Sequence, residues 1–341
     1  MYSLTAKENG VRQHGSTHST LFSLRRLRKQ LLHIDSAEAD FARRHFRWKD
    51  NQARQRLERI GAIFLLGYNS AIQETDLSIL ARQLNRVDQE LRGFAFEGAA
   101  MGLTLLDALT PWNRGRLLEF ITGPAARHLY MVHVGSGWAI ARLPWLRLNL
   151  KKHLQRLDPL LRWLALDGYG FHEGYFNWSS YVEEQQLPKR LSAYGLRAFD
   201  QGLGRSLWFV EGADVDRIPL TIKRFPLYRR ADLWSGVGLA CAYAGGAGAN
   251  AIHALYNTAA GYAAHLAQGA AFAAKARQTA GNESEHTNLA CHIFTGLSAI
   301  QAAAVTDEAL KDLPRDLPPG AKQPQYEVWR ERIRTRLAAR N

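Results

Sequence analysis

DLSILARQLNRVDQELRGFAFEGAAMGLTLLDAL, residues 76–109, decides the fold class. Leu77, Leu80, Leu84, Val87 and Leu91 recur every three or four residues, the spacing that places side chains on one face of an α-helix. GFAFEGAA, Gly93 to Ala100, then sets a carboxylate, Glu97, inside an apolar run. A buried charge must be satisfied by a partner, so Glu97 needs one.

Outward from this stretch the pattern stays helical. RQRLERIGAIFLLGYNSAIQ (54–73) continues at helical period, and Asp35 followed by Glu38 has the spacing of a capping arrangement. Further helices are expected at 127–142, 150–166 (broken at Pro159), 233–244, 251–280 and 287–310. Alternating strand patterns are scarce, so the chain is expected to be all-α. Residues 1–20 read as a polar tail and 21–312 as the helical domain. LPRDLPPGAKQP makes 313–324 a proline-rich linker, and 325–341 reads as a basic terminal helix.

The Glu-Gly pair of GFAFEGAA returns in YGFHEGYF, Tyr169 to Phe176, as Glu173 and Gly174. Two more matches follow in the same order: RHLYMVH (127–133) with RSLWFVE (205–211), and Arg142-Leu-Pro with Arg224-Phe-Pro. Their offsets are 76, 78 and 82 residues. Such a series predicts two pseudo-symmetric helical units, about 92–144 and 167–226, packed around one axis.

The echo suggests its own chemistry. Arg127 and Arg205 follow glycine-containing turns at expected helix starts, where the helix dipole disfavours a cation. Ion pairs Glu97–Arg127 and Glu173–Arg205 would explain both arginines and both acids. The copies also differ: Phe96 faces His172, and His133 faces Glu211. Glu97, His133, His172, Glu173 and Glu211 are therefore the candidate catalytic cluster, of the type that moves protons or binds a metal. No residue pattern names the metal or a cofactor; Glu283 to His286 is a single Glu-x-x-His in a loop-like segment. Aromatic residues gather at the repeated motifs, and Phe94, Phe96, Tyr169, Trp208 and Trp234 are candidates for holding an apolar ligand, with core packing as the competing account. Asp232, beside Trp234, joins that set, although it also reads as a helix N-cap.

Composition narrows the alternatives. The 341 residues carry a net charge of +13, and residues 1–60 hold 13 Lys/Arg against 6 Asp/Glu. A basic N-terminus and a basic C-terminal helix favour an acidic partner or an anionic membrane. Base-reading motifs are absent, which argues against nucleic acid. Phosphate-loop, GxSxG, HExxH and CxxC motifs are absent too. The two cysteines, Cys241 and Cys291, lie in apolar runs and are expected as buried free thiols. The first twenty residues lack the apolar core of a signal peptide, and no run is dense enough in large aliphatics to span a bilayer, so the expected location is the cytoplasm, with peripheral membrane contact as a variant.

SAEADFARRHF (36–46), FLLGYNSAI (64–72), RGFAFEGAAM (92–101), DGYGFHEGYF (167–176), GLGRSLWF (202–209) and RADLWSGVGLACAYAGG (230–246) together resemble the UnbL-type enediyne biosynthesis proteins, a bacterial family of undefined biochemical role. The resemblance spans most of the chain. It implies an accessory protein encoded beside iterative polyketide synthases, with biosynthetic partner proteins, and it transfers no catalytic residue. The leading expectation is a protein that binds or processes an apolar intermediate between two helical units. The other is a non-catalytic component docking on a membrane or a protein through its basic termini.

Overall fold

A computed structural model describes residues 28–110, 112, 115–314 and 323–339, and every regular element among them is helical. The polar tail expected at 1–20 and most of the linker expected at 313–324 lie outside the described residues.

Local signals set the helix ends. α1 (Asn51–Gln73) starts behind Asp50, whose carboxylate accepts from the Gln52 and Ala53 amides. α2 (Leu77–Leu84) starts behind Asp76 in the same way. The fold-deciding stretch is thus two helices: turns occupy 85–91, and Arg92 donates to the Asn85 carbonyl before α3 (Arg92–Leu109) begins. α3 is buried without interruption from Gly93 to Asp107.

There follow α4 (Arg116–Thr122), α5 (Leu129–Arg142), α6 (Pro144–Leu148), α7 (Leu150–Leu154), α8 (Trp163–Phe176), α9 (Ala193–Val210) and α10 (Arg217–Lys223). The last six are α11 (Leu227–Ala244), α12 (Ala249–Ala259), α13 (Ala263–Ala280), α14 (Glu285–Thr295), α15 (Ala299–Leu310) and α16 (Gln325–Ala338). Three expected helices are broken. The one over 150–166 ends at Leu154, and Asp158 caps the turn that holds Pro159. The one over 251–280 breaks at Ala260, with φ 37°, and that over 287–310 at Gly296, with φ 69°. Ser298 and Gln301 then form a capping box for α15.

The long helices α1, α3, α5, α8, α9, α11 and α13 pack in series, each against the next. Glycine makes this possible. Gly98, Gly135, Gly168, Gly202, Gly236 and Gly269 each lie against a backbone carbonyl of the preceding long helix, those of Phe64, Glu97, Val134, Asp167, Gln201 and Ser235 in turn. A Cβ at any of these positions would overlap that oxygen, so the backbones approach as they do in small-residue helix pairs, with Cα–H groups facing carbonyls. Gly98 meets Phe64 and Gly102 meets Tyr68 at one sequence offset, so these neighbours run in the same sense and the short helices return the chain.

The unit of this array is 33 to 37 residues, the spacing between successive contact glycines, and differs from the offsets of 76 to 82 in the sequence. Glu97 immediately precedes its contact glycine, Gly98, whereas Glu173 follows Gly168 by five positions. Asp167, not Glu173, therefore occupies the place on α8 that Glu97 occupies on α3.

The row curls into a filled core. Phe64 of α1 packs on Trp138 of α5 with ring centres 4.2 Å apart, Phe94 of α3 meets Tyr243 of α11 at 5.1 Å, and Arg277 of α13 donates to the Glu90 carbonyl at 3.1 Å. α16 lies across α13 and α15, and its Trp329 indole donates to the Thr306 carbonyl. Cys241 and Cys291 are buried free thiols, as expected. Among the described residues no single helix is long and apolar enough to cross a membrane; the bent pair α14–α15 passes by length and composition alone.

Candidate functional site

The residue before five of the six contact glycines carries the polar chemistry of the core; before Gly135 it is Val134. On α3, α8, α9, α11 and α13 it is Glu97, Asp167, Gln201, Ser235 and Gln268, all buried. Gln201 donates to Asp167 at 2.8 Å, and Ser235 contacts Gln201 at 3.4 Å and Gln268 at 3.0 Å. Arg330 of α16 donates to Gln268 at 3.1 Å and also pairs with Asp232 at 2.8 Å and Glu327 at 3.0 Å. A hydrogen-bonded ladder thus crosses the successive helices and ends on α16.

At the other end stands Arg205. Its guanidinium pairs directly with Asp167, reaches Glu97 Oε1 at 3.7 Å, and lies over the Phe171 ring. Trp138 Nε1 donates to the same Glu97 oxygen at 3.1 Å, while Oε2 has no hydrogen-bond partner among the described residues. One cation serves two carboxylates, and Asp167 holds the closer position. Burial pushes the Glu97 carboxyl up to about 7, against the pull of Arg205 and Trp138. Burial also opposes charge on Arg205, but Asp167 and Glu97 outweigh it and hold its pKa above the usual value.

The expected ion pairs are not the ones formed. Arg127 is exposed in a 3-10 turn and makes no ion pair among the described residues. Arg205 lies in the interior of α9, not at a helix start, and takes Glu97 and Asp167 in place of Glu173. Glu173 accepts from Asn177 at 2.6 Å, and burial raises its pKa.

The remaining members of the expected catalytic cluster have separate surroundings. His172 packs edge-on to Trp138 and against Phe176, with neither ring nitrogen partnered among the described residues; burial, then Arg142, Arg44 and Arg147, push it down to about 3. His133 donates from Nδ1 to the Leu129 carbonyl at 2.7 Å, and burial lowers its pKa. Glu211 ends α9 and is held by Arg47, Arg217 and Thr221. Among the described residues no group of three or more His, Cys, Asp or Glu could hold a metal ion.

The residues expected to hold an apolar ligand are core side chains. Phe94 meets Tyr243, Phe96 stacks between Phe120 and His128, Tyr169 packs on Phe199, Trp208 donates to the Gly245 carbonyl, and Trp234 stacks on Tyr262. Asp232 is an interior residue of α11, which begins at Leu227, so it is no N-cap; it anchors Arg330 and Arg197. Beside Glu97, among Phe64, Trp138, Phe171 and Tyr175, there is a void of about 30 Å³, room for roughly one water.

The larger opening lies where the short helices sit. The ends of α3 and α4, with α6 and α7, enclose a cleft of about 200 Å³. Leu117, Leu118, Trp145, Leu146 and Leu157 form its apolar wall; Asn149, Lys152, His153 and Arg156 supply its polar side. Asp107, at its back, is already paired with Arg116 at 3.0 Å and accepts from the Leu117 amide. Lys152 and Arg156 make no ion pair among the described residues. Burial first, then Arg156, push His153 down to about 4, so its imidazole is neutral at pH 7.

A family model for a protein of unknown function (DUF1702) matches residues 23–337. The chain belongs to the DUF1702 family. No curated protein and no solved structure matches it. In this DUF1702 chain, sequence reasoning missed the cleft because four separate segments build its walls and none carries a motif. The available signal was PWLRLNLKKHL, 144–154, where Trp145 and Leu148 alternate with cations and end up exposed. Asp167 was missed as well, although Asp-Gly-x-Gly, Gln-Gly-x-Gly and Ser-Gly-x-Gly recur at 167, 201 and 235.

Proposed function

We propose that this protein is an accessory component of specialised-metabolite biosynthesis, of the UnbL type that accompanies enediyne and related polyketide pathways, and that it holds an intermediate with an apolar body and an anionic end. The site is the cleft between α3, α4, α6 and α7. The observation that carries the reading is the pairing of an apolar wall, Leu117, Leu118, Trp145, Leu146 and Leu157, with two cations, Lys152 and Arg156, that make no ion pair among the described residues. An apolar wall supplies affinity and a few polar groups supply orientation.

Holding, rather than catalysis, fits the polar core best. Glu97, Asp167 and Arg205 are closed off by packed helices, and the void beside Glu97 is too small for a metabolite. The biosynthetic setting rests on the family resemblance carried by the quoted motifs.

Titration with a fluorescent long-chain polyenoic acid tests the reading, with the matching alcohol as control. Saturable binding of the acid is expected, with the alcohol weaker by roughly tenfold, since a hydrogen bond to a charged group contributes about 1.5–3 kcal/mol. Equal affinity for acid and alcohol would remove the cationic side from the account.

A further inference from the structure

Independently of the cleft, a second surface combines exposed aliphatic side chains with unpaired cations. It lies over the joint between α10 and α11, on RIPLTIKRFPLYRR, residues 217–230. Ile218, Thr221, Ile222, Phe225 and Arg229 point inward and are buried. The opposite side turns out Leu220, 65% exposed, with Leu227 and Tyr228, each 70% exposed. Lys223 and Arg224 stand between them, both exposed.

A neighbouring loop extends this surface. Gln185 donates to the Arg224 carbonyl at 2.9 Å, and Arg229, clamped by Asp200, donates back to the Gln185 carbonyl at 3.1 Å. The loop so tied carries Leu187, 46% exposed, followed by the exposed Lys189 and Arg190. None of Lys189, Arg190, Lys223 and Arg224 makes an ion pair among the described residues. The nearby acids are mostly engaged elsewhere: Glu183 with Arg47, Asp216 with Lys49, and Asp214 with the Asp216 and Arg217 amides. Glu184 accepts from Gln186 and makes no ion pair among the described residues.

We propose that this surface docks the protein on a membrane rich in anionic headgroups. Leucines and a tyrosine on a rigid, proline-flanked ledge can enter the interface to headgroup depth while lysine and arginine beside them meet phosphate, the combination that interfacial anchors use. A protein partner fits less well, because lysine is depleted and leucine under-represented among the residues that carry protein interfaces.

Cosedimentation of the full chain with vesicles of phosphatidylcholine, with and without phosphatidylglycerol, tests the proposal at low and high salt. Binding is expected only with phosphatidylglycerol, weakened by salt. Lys223→Glu/Arg224→Glu should lower the partition coefficient roughly tenfold or more, at about one tenfold step for each one to two cations lost. Leu220→Ser/Leu227→Ser keeps every cation and should also lower it several-fold, which separates this surface from attraction through the basic N-terminus. All four side chains are exposed, so both variants should keep the wild-type circular dichroism and melting curve. A wild-type chain that ignores anionic vesicles at low salt, or a Leu220→Ser/Leu227→Ser variant that binds as wild type does, overturns the proposal.

Discussion

The seam at Gly202 and the cleft at Lys152 are two ways of ending a helix contact. At Gly202 the backbone of α9 lies on the Asp167 carbonyl of α8, and the side chains around it, Asp167, Gln201 and Arg205, are buried and paired. At Lys152 the helices are only five residues long, Lys152 and Arg156 make no ion pair among the described residues, and open volume remains. The difference separates polar groups that hold the fold from polar groups free to hold something else. Burial alone does not make that distinction, because Glu97, fully buried, belongs to the seam.

The seam should break first. Gly202→Val pushes a side chain into the Asp167 carbonyl, where neither backbone can yield cheaply, and should cost about 3 kcal/mol or more in denaturant unfolding or prevent folding outright. Arg205→Met leaves Asp167 and the Glu97 carboxyl without their cation and should cost about 3–5 kcal/mol. Neutralising the acids too, with Asp167→Asn and Glu97→Gln, should recover most of that loss; no recovery would mean that Arg205 acts through packing.

Glu97→Gln sharpens the comparison through pH. The folded protein holds the Glu97 proton up to about 7, above the ordinary value of 4.5. The folded state therefore binds the proton more tightly, so this stabilisation is full below about 4.5 and is lost as pH rises through 7. Wild type should weaken relative to Glu97→Gln between pH 5 and 8, by about 3 kcal/mol at most. His172 acts in the opposite direction: its folded value, about 3, lies below the ordinary 6.5, so its contribution is present above 6.5 and lost as pH falls towards 3. His172→Phe should make the protein more resistant to acid, read as a lower midpoint of acid unfolding. The smallest effect is expected at Gly261, around which a Cβ meets nothing within 4 Å; Gly261→Ala should change stability by no more than about 0.5 kcal/mol.

How far the fold was legible follows from the same contrast. Leucine spacing in 76–109 and the scarcity of alternation disclosed an all-α chain, because amphipathic period is a property of single helices. The 33-to-37-residue array is a property of pairs of helices. Its mark is the Gly-x-Gly pair of α5, α8, α9 and α11, blurred where α3 and α13 read Gly-Ala-Ala and α1 reads Leu-Leu-Gly. The apparent repeat at 76–82 matched residues that occupy different positions in the array, and so joined Glu97 to Glu173 and Arg127 to Arg205. Glu97 was recognisable as a buried acid in need of a cation, but the identity of that cation depended on how the row curls. Lys152 and Arg156 had no local signal to mark them as lacking an ion pair among the described residues, since that depends on which acids fold nearby.

The most direct measurement is the affinity of a fluorescent polyenoic acid for three proteins: wild type, Lys152→Glu/Arg156→Glu, and Glu97→Gln. Division of labour between seam and cleft predicts a loss of roughly tenfold or more for the double variant and wild-type affinity for Glu97→Gln. Wild-type affinity in the double variant, with binding lost in Glu97→Gln, would place the ligand in the core and contradict the account.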